Sequence, residues 1–482
     1  MTEVEGVILS DIPKMKRIAT LDFQRGLAIW MMVFLHSVQH FYDISWATNV
    51  DTLLQENVLV IIGVLLLALF SGFAGYFLLI SAIVNSLAMT KRAARDFSPE
   101  KIMIKQVLTG LGILIAGAIT EGLLYYGYLG NSIRGSITQG ISAFRVTSFW
   151  NQFGRAFFTM ETLQAIGWCM IINGLIHYFL MRKKGYQKQK RNVIIYAILA
   201  FIIIASSFFV WTGVDNYLVN GRGFSNWPNE VVARTYPSIT TYILTILTGD
   251  LEPLFPFLAV SFVGSIIGLV LAQPKVPRKF PRYLGYSTLL FFVLGGIVLA
   301  IGEITKNPLI QFDFTWFRPN LSYFLILMGI WIGLIALLLR LVEFRGKGEE
   351  FATSKLGRYF RLWGIIALSV FSFQIFSMLP KWLFSFLVPE NLLIDKLPKY
   401  NEGYVILLSL MIVAAYNLLI RLWSKVNFKF SFEWFILRVS SKGSGYSISE
   451  RLNTKKILDE TEWINFVTKE EAKTKIRKTT GD

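Results

Sequence analysis

Long apolar runs recur along the whole chain and constrain its fold more than any other feature. A run of about 20 apolar residues is long enough to cross the hydrocarbon core of a bilayer as a helix. With 54% hydrophobic and only 16% charged residues, most of the chain must lie in lipid. We therefore predict an all-α, multi-pass membrane helical bundle of about ten transmembrane helices. The ten runs lie near residues 21–42, 57–89, 102–127, 158–180, 192–212, 251–272, 284–305, 319–342, 359–386 and 403–423.

The runs divide the chain into three parts. Residues 1–20 are predicted to form a cytoplasmic N-terminal segment, residues 21–425 the transmembrane domain, and residues 426–482 a basic cytoplasmic C-terminal tail. The 57–89 run is long enough to be broken. Its S-G-F-A-G stretch at residues 71–75 is the predicted break, because glycine lowers helix stability.

Basic residues alternate from one connecting segment to the next, which predicts the orientation of the chain. If the N-terminus is cytoplasmic, the inside segments up to residue 361 carry 24 lysines and arginines and the outside loops carry 9. Loops rich in lysine and arginine stay on the cytoplasmic side. Both termini are thus predicted to be cytoplasmic and the protein to lie in the cell membrane. Attraction to anionic lipid is sufficient to explain the net charge of +17, so no nucleic-acid partner is predicted.

Several kinds of site are excluded or disfavoured by residue counts. The single cysteine, Cys169, excludes an internal disulfide and a thiolate metal cluster. The three histidines, His36, His40 and His177, make a dedicated metal site improbable, so no metal is predicted. The chain has no G-x-G-x-x-G, P-loop or H-E-x-x-H pattern.

The first apolar run carries an acid, an arginine and a histidine, and ionisable groups inside a bilayer are functional candidates by default. Arg25 and His36 are eleven residues apart. On a helix that spacing puts them on one face, about 20° apart in rotation and roughly 16 Å apart in depth. Asp22 lies one turn before Arg25 and is predicted to pair with its guanidinium.

This run also carries a family resemblance. The string R-I-A-T-L-D-F-Q-R-G-L-A-I-W-M-M-V-F at residues 17–34 resembles the opening signature of the transmembrane acyltransferases, the superfamily of heparan-α-glucosaminide N-acetyltransferase, YeiB-like and acyltransferase-3 type proteins. The spacing from Arg25 to His36 is similar to that of the acyltransferase-3 branch, whereas YeiB-like proteins commonly carry asparagine at the histidine position. Weaker similar pieces follow in order at residues 70–82, 160–167, 253–259 and 432–438.

The resemblance implies a donor acyl-CoA that enters from the cytoplasm and an acceptor hydroxyl or amine reached from the other side. The acceptor is then a carbohydrate or a lipid-linked glycan. A neutral histidine is the usual base for such a transfer. We predict His36 as this base, with His40 as the alternative and Glu121 as a carboxylate that orients the histidine ring. Donor contacts are predicted from cations and one acid near the inner face, namely Arg17, Asp22, Arg25, Lys91 and Arg92.

A second interpretation of the same buried charges is open. A transporter or flippase-like carrier of a lipid or polar metabolite would use them to line a substrate pathway. A pseudoenzyme without chemistry is a third interpretation. No oligomeric state is predicted.

Overall fold

The computed structural model describes residues 16–48, 50–156, 159–223, 227, 238–311, 318–442 and 452–467. In these ranges the protein is helical and contains no β-strand, only two isolated β-bridges. The helices in the first half are α1 (Ala19–Phe41), α2 (Val50–Leu54), α3 (Val58–Ser71), α4 (Phe73–Ala93), α5 (Pro99–Gly122), α6 (Tyr128–Gln139), α7 (Ala143–Val146), α8 (Phe149–Arg155), α9 (Thr162–Met181) and α10 (Gln189–Asp215). Those in the second half are α11 (Ile239–Thr248), α12 (Leu254–Leu271), α13 (Phe280–Thr305), α14 (Leu321–Leu341), α15 (Gly348–Thr353), α16 (Lys355–Ile365), α17 (Ala367–Ser372), α18 (Met378–Phe384), α19 (Glu402–Ser424), α20 (Phe432–Lys442) and α21 (Thr454–Asp459).

Eight of the described helices are long and apolar enough to cross a membrane: α4, α5, α9, α10 with its continuation to Asn220, α12, α13, α14 with its continuation to Arg345, and α19. They correspond to eight of the ten predicted runs, so the all-helical fold with eight candidate membrane spans is confirmed, and the count of about ten stays a prediction. The runs at 21–42 and 359–386 have no counterpart among the eight. The first forms α1, a 23-residue helix whose polar residues include Asp22 and Arg25.

The predicted break in the second run is confirmed. Helix α3 ends at Ser71 and α4 begins at Phe73, so the interruption lies inside the S-G-F-A-G stretch. The 359–386 run differs from the prediction of one continuous helix. It is divided into α16, α17, a 3-10 turn at Gln374–Ser377 and α18, with non-helical backbone at Ile366 and Phe373.

Glycines allow the central helices to cross closely. A Cβ on Gly264 of α12 would lie 2.9 Å from the carbonyl oxygen of Leu79, and one on Gly268 would lie 2.5 Å from that of Ile83, both in α4. Small residues spaced four apart are the usual means by which membrane helices approach each other. The resulting pair α4 and α12 packs with α9.

Candidate functional site

Helix α1 brings His36 and His40 together with two residues from the interrupted segment. His36 and His40 are one turn apart, with their ring centroids 5.7 Å from each other. Nδ1 of His36 lies 3.0 Å from Oε1 of Gln374, which sits in the 3-10 turn between α17 and α18. An amide oxygen can only accept, so Nδ1 carries the proton and Nε2 is the nitrogen available for proton transfer.

His40 faces a different set of side chains. Its Nε2 lies 2.7 Å from the hydroxyl of Tyr126, and its ring centroid lies 4.9 Å from that of Tyr125. Nζ of Lys381, which is only 2% exposed, donates to the hydroxyl of Tyr125 at 2.8 Å. Lys381 also lies 6.0 Å from the ring centroid of Phe41. His40 is therefore held by phenols beside a buried cation, whereas His36 is held by an amide.

A cavity of about 490 Å³, including the open space at its mouth, lies along one side of α1. It begins at Ala28, one turn beyond Arg25, and ends at His36. Eight helical residues separate these ends, roughly 12 Å along the axis. Most of the lining is apolar, and its residues are Ala28, Ile29, Met32, Leu35, His36, Phe73, Ala74, Phe77, Thr162, Leu163, Ala367, Leu368 and Phe371. The cavity thus extends along α1 from the turn after Arg25 to His36, with a mostly apolar lining.

Glu121, the predicted carboxylate partner of the histidine base, is not among the described hydrogen-bond partners of His36 and His40. Glu121 is buried at the last turn of α5. The amide of Gln374 and the phenol of Tyr126 are the described hydrogen-bond partners of the two rings. A role for Glu121 stays a prediction. Sequence reasoning does not single out Lys381 as a site residue, although a lysine inside an apolar run is a recognisable signal of a functional position.

The N-terminal end of α1 holds the predicted ion pair in a modified form. Asp22 binds Arg17 through both oxygens, at 2.9 Å to Nε and 3.1 Å to a terminal nitrogen. Arg25 approaches Asp22 only to 4.0 Å. Arg17, rather than Arg25, is therefore the principal partner of the acid.

A segment of the C-terminal tail packs on this N-terminal end of α1. The backbone of Arg17 donates to the carbonyl of Glu462 and accepts from the amide of Ile464, each at 2.9 Å. The guanidinium of Arg361 lies 4.2 Å from the ring centroid of Trp463. The described part of the tail is thus an ordered cover over the start of α1.

The other two predicted donor cations lie elsewhere. Lys91 and Arg92 occupy the last turn of α4 and are partly exposed. Arg17 and Arg25 are grouped at the start of α1 instead. Among the residues that the structure describes, no group of three or more histidine, cysteine, aspartate or glutamate side chains is placed to hold a metal ion.

The chain was compared with protein-family models, with curated proteins and with solved structures, and none of them matches it. The resemblance to the transmembrane acyltransferases therefore stays a prediction that depends on the motifs in the sequence.

Proposed function

We propose that this protein is an integral membrane acyltransferase of the cell membrane. It moves an acyl group, most simply acetyl, from cytoplasmic acyl-CoA to a hydroxyl or amine of an extracytoplasmic or lipid-linked glycan. The observation that carries the proposal is the apolar cavity that begins one turn beyond Arg25 and ends at His36. The cavity lies between the predicted donor contact Arg25 and the predicted base His36, which is the order in which the donor's charged end and its thioester are expected to lie.

The chemistry assigned to His36 follows from its hydrogen bond. With Nδ1–H donated to Gln374, Nε2 accepts the proton of the acceptor hydroxyl or amine as the acceptor oxygen or nitrogen attacks the thioester carbonyl. The new ester or amide bond forms as the carbon–sulfur bond breaks. The departing thiolate takes the proton back from the imidazolium, so the products are the acylated acceptor and free CoA thiol. General base catalysis of this kind contributes about 10²–10⁴ in rate.

A carrier is the second candidate, and the interrupted segment favours it. Broken helices near the middle of a membrane often line transport sites, because their free backbone groups contact the cargo. Here the breaks at Ile366 and Phe373 flank α17, which lines the cavity.

The two functions are separated by one assay on purified protein in detergent. A transferase releases free thiol from acetyl-CoA in the presence of a suitable glycan from a panel, and it needs no sealed bilayer. A carrier releases no thiol and moves its cargo only across sealed vesicles. Thiol release that depends on an added glycan supports the proposal. Transport into vesicles without thiol release replaces the proposal with the carrier.

A further inference from the structure

Cations from three separate parts of the chain surround the C-terminal end of α1. Lys381 belongs to α18, Arg134 belongs to α6, and Lys396 lies in the loop that follows α18. Arg134 and Lys396 lie close enough for their charges to act on Lys381, and all three act on His40 in α1. Like charges repel one another, so this grouping is unfavourable unless a negative charge joins it.

Lys381 is a buried cation without an acidic partner among the described residues. It is 2% exposed, and its Nζ donates to the hydroxyl of Tyr125, a neutral group. None of the described ion pairs includes it, and the described charges that act on it are those of Arg134 and Lys396. A buried charge is costly unless it is paired. An anionic ligand would supply the missing partner.

Arg134 adds donors beside this lysine. Its guanidinium carbon lies 5.1 Å from the ring centroid of Tyr125, and Nζ of Lys381 lies 5.2 Å from the same centroid. One terminal nitrogen of Arg134 bonds the carbonyl of Tyr125 and Oδ1 of Asn131, at 2.9 and 2.8 Å. The other two nitrogens have no described partner, and a guanidinium suits a carboxylate or a phosphate. Arg134 and its neighbour Tyr126 are partly exposed, so the cluster is not sealed from its surroundings.

The cations lie one helical turn beyond the proposed base. The rings of His36 and His40 are 5.7 Å apart, and the ring of His40 lies 4.9 Å from that of Tyr125. The charge of Lys381 also acts on His36 itself. Arg25, the predicted donor contact, lies on the other side of His36 along α1. A molecule held by the cations would therefore approach His36 from the end opposite to the donor.

We propose that Lys381 and Arg134 bind an anionic group, a carboxylate or a phosphate, carried by the acceptor glycan. Lys381 supplies the buried charge and is held in position by Tyr125. Arg134 supplies the planar donors, and the exposed Lys396 adds attraction at longer range. This inference rests on the proposed function, because it assigns a chemical class to the acceptor of that reaction.

The test measures binding directly, by titration calorimetry on the purified protein in detergent at one ionic strength. The probes are glucuronate, glucose 1-phosphate and glucose, which share a sugar ring and carry a carboxylate, a phosphate or no charge. We expect the wild-type protein to bind at least one anionic probe about tenfold or more tightly than glucose. Preference for glucuronate identifies a carboxylate as the bound group, and preference for glucose 1-phosphate identifies a phosphate.

Lys381→Met removes the charge and keeps a long side chain. It should weaken binding of the preferred anionic probe about tenfold to a hundredfold, the loss typical of a hydrogen bond to a charged group. The matched control is Lys306→Met at the end of α13, where the lysine side chain is 74% exposed, and it should leave every dissociation constant unchanged. If Lys381→Met does not fold, Arg134→Gln should weaken the same probe in the same direction.

A structural role for Lys381 gives a different result. Without ligand, Lys381→Met should unfold at no lower a temperature than the wild-type protein, because it removes a buried charge that has no described acidic partner. A Lys381→Met protein that unfolds at a lower temperature yet binds the anionic probe as tightly as wild type would make the lysine structural only.

Thiol release from acetyl-CoA is measured separately, so that the two proposals fail separately. A wild-type protein that releases thiol but binds neither anionic probe better than glucose would overturn the anion site and leave the transferase standing. A wild-type protein that binds an anionic probe through Lys381 but does not consume acetyl-CoA would overturn the transferase and, with it, the assignment of the anion to an acceptor.

Discussion

His36 and His40 lie one turn apart on α1 but have different surroundings in the structure. His36 lines the apolar cavity and donates to Gln374, whereas His40 bonds Tyr126 beside the buried Lys381. A base must reach the acceptor, and among these side chains His36 is the one that lines the cavity. The cavity lining therefore favours His36 over His40 as the proposed base, a distinction that spacing alone does not provide.

Replacing His36 with asparagine tests this assignment. Asparagine keeps a hydrogen-bonding side chain but has no titratable nitrogen, so we expect acyl transfer to the acceptor to fall about 10²-fold to 10⁴-fold. Acetyl-CoA binding should persist, because the predicted donor contact Arg25 lies eleven residues before His36 on α1, roughly 16 Å along the helix axis. The measurements are acceptor-dependent thiol release and equilibrium binding of acetyl-CoA.

The matched control for this change is His177→Asn, at a histidine buried in α9 away from the cavity lining. It should retain transfer if the variant folds. A His36→Asn protein that transfers at the wild-type rate would pass the base role to His40.

At the scale of single elements, α1 depends on one glycine for its close contact with α16. A Cβ on Gly26 would lie 1.6 Å from the carbonyl oxygen of Phe360, a distance that requires the backbone to move. This glycine follows Arg25 directly, so the close contact at Gly26 fixes the position of Asp22 and Arg25 relative to α16.

We expect Gly26→Ala to lower the free energy of unfolding by about 1–3 kcal/mol, the usual effect of overpacking. The chain offers a matched control in Gly63→Ala on α3, where a Cβ would have no neighbour within 4 Å. Thermal unfolding in detergent should show a lower midpoint for Gly26→Ala and none of that loss for Gly63→Ala. Equal midpoints for the two variants would contradict the close contact.

Helix α17 depends on a residue that is distant in the chain. The carboxylate of Glu433 accepts the backbone amides of Leu368 and Ser369 at 2.7 and 3.2 Å, and it also accepts the hydroxyl of Ser369 at 2.5 Å. These amides belong to the first turn of α17, which the break at Ile366 leaves without helical partners. Glu433 thus stabilises the interruption that places Gln374 beside His36.

Replacing Glu433 with leucine should lower the free energy of unfolding by about 1–3 kcal/mol, because buried amides lose their acceptor. Glutamine keeps one acceptor oxygen, so Glu433→Gln should lose less than Glu433→Leu. Thermal unfolding in detergent compares them with Glu349→Leu, a change at an exposed position of α15. If Glu433→Leu were no less stable than Glu349→Leu, the carboxylate would not be what holds the break.

The interrupted segment also shows where prediction from sequence ends. Apolar periodicity predicts helices well, and α1 runs unbroken through Arg25 and His36 with the separation that their spacing implies. The breaks at Ile366 and Phe373 fall on neither glycine nor proline, and the nearest glycine is Gly364, two residues before the first break. Their cause is tertiary, since Glu433 lies 64 residues beyond Ser369. Gln374 could be recognised as a polar residue in an apolar run, but its contact with His36 depends on those breaks.

At the scale of the whole molecule, the two ends of α1 are marked by different segments. Tyr42, just past the end of α1, forms a β-bridge with Leu397, and Arg17, before its start, forms one with Trp463. The loop around residue 397 and the tail segment therefore lie at opposite ends of this helix. Basic residues are concentrated in the segments assigned to the tail side, with 24 against 9 in the loops of the other side.

That asymmetry predicts that the tail side is cytoplasmic. We test it with single cysteines in a Cys169→Ala background, which removes the one native thiol. Lys188→Cys lies at the exposed start of α10, and Asp395→Cys lies in the exposed loop beside Leu397. An impermeant thiol reagent should label Asp395→Cys on intact cells and Lys188→Cys only after the inner face of the membrane is opened. The reverse pattern would invert the predicted topology. Lys91 and Arg92 would then face the outside, away from the cytoplasmic acyl-CoA, and they could not serve as donor contacts.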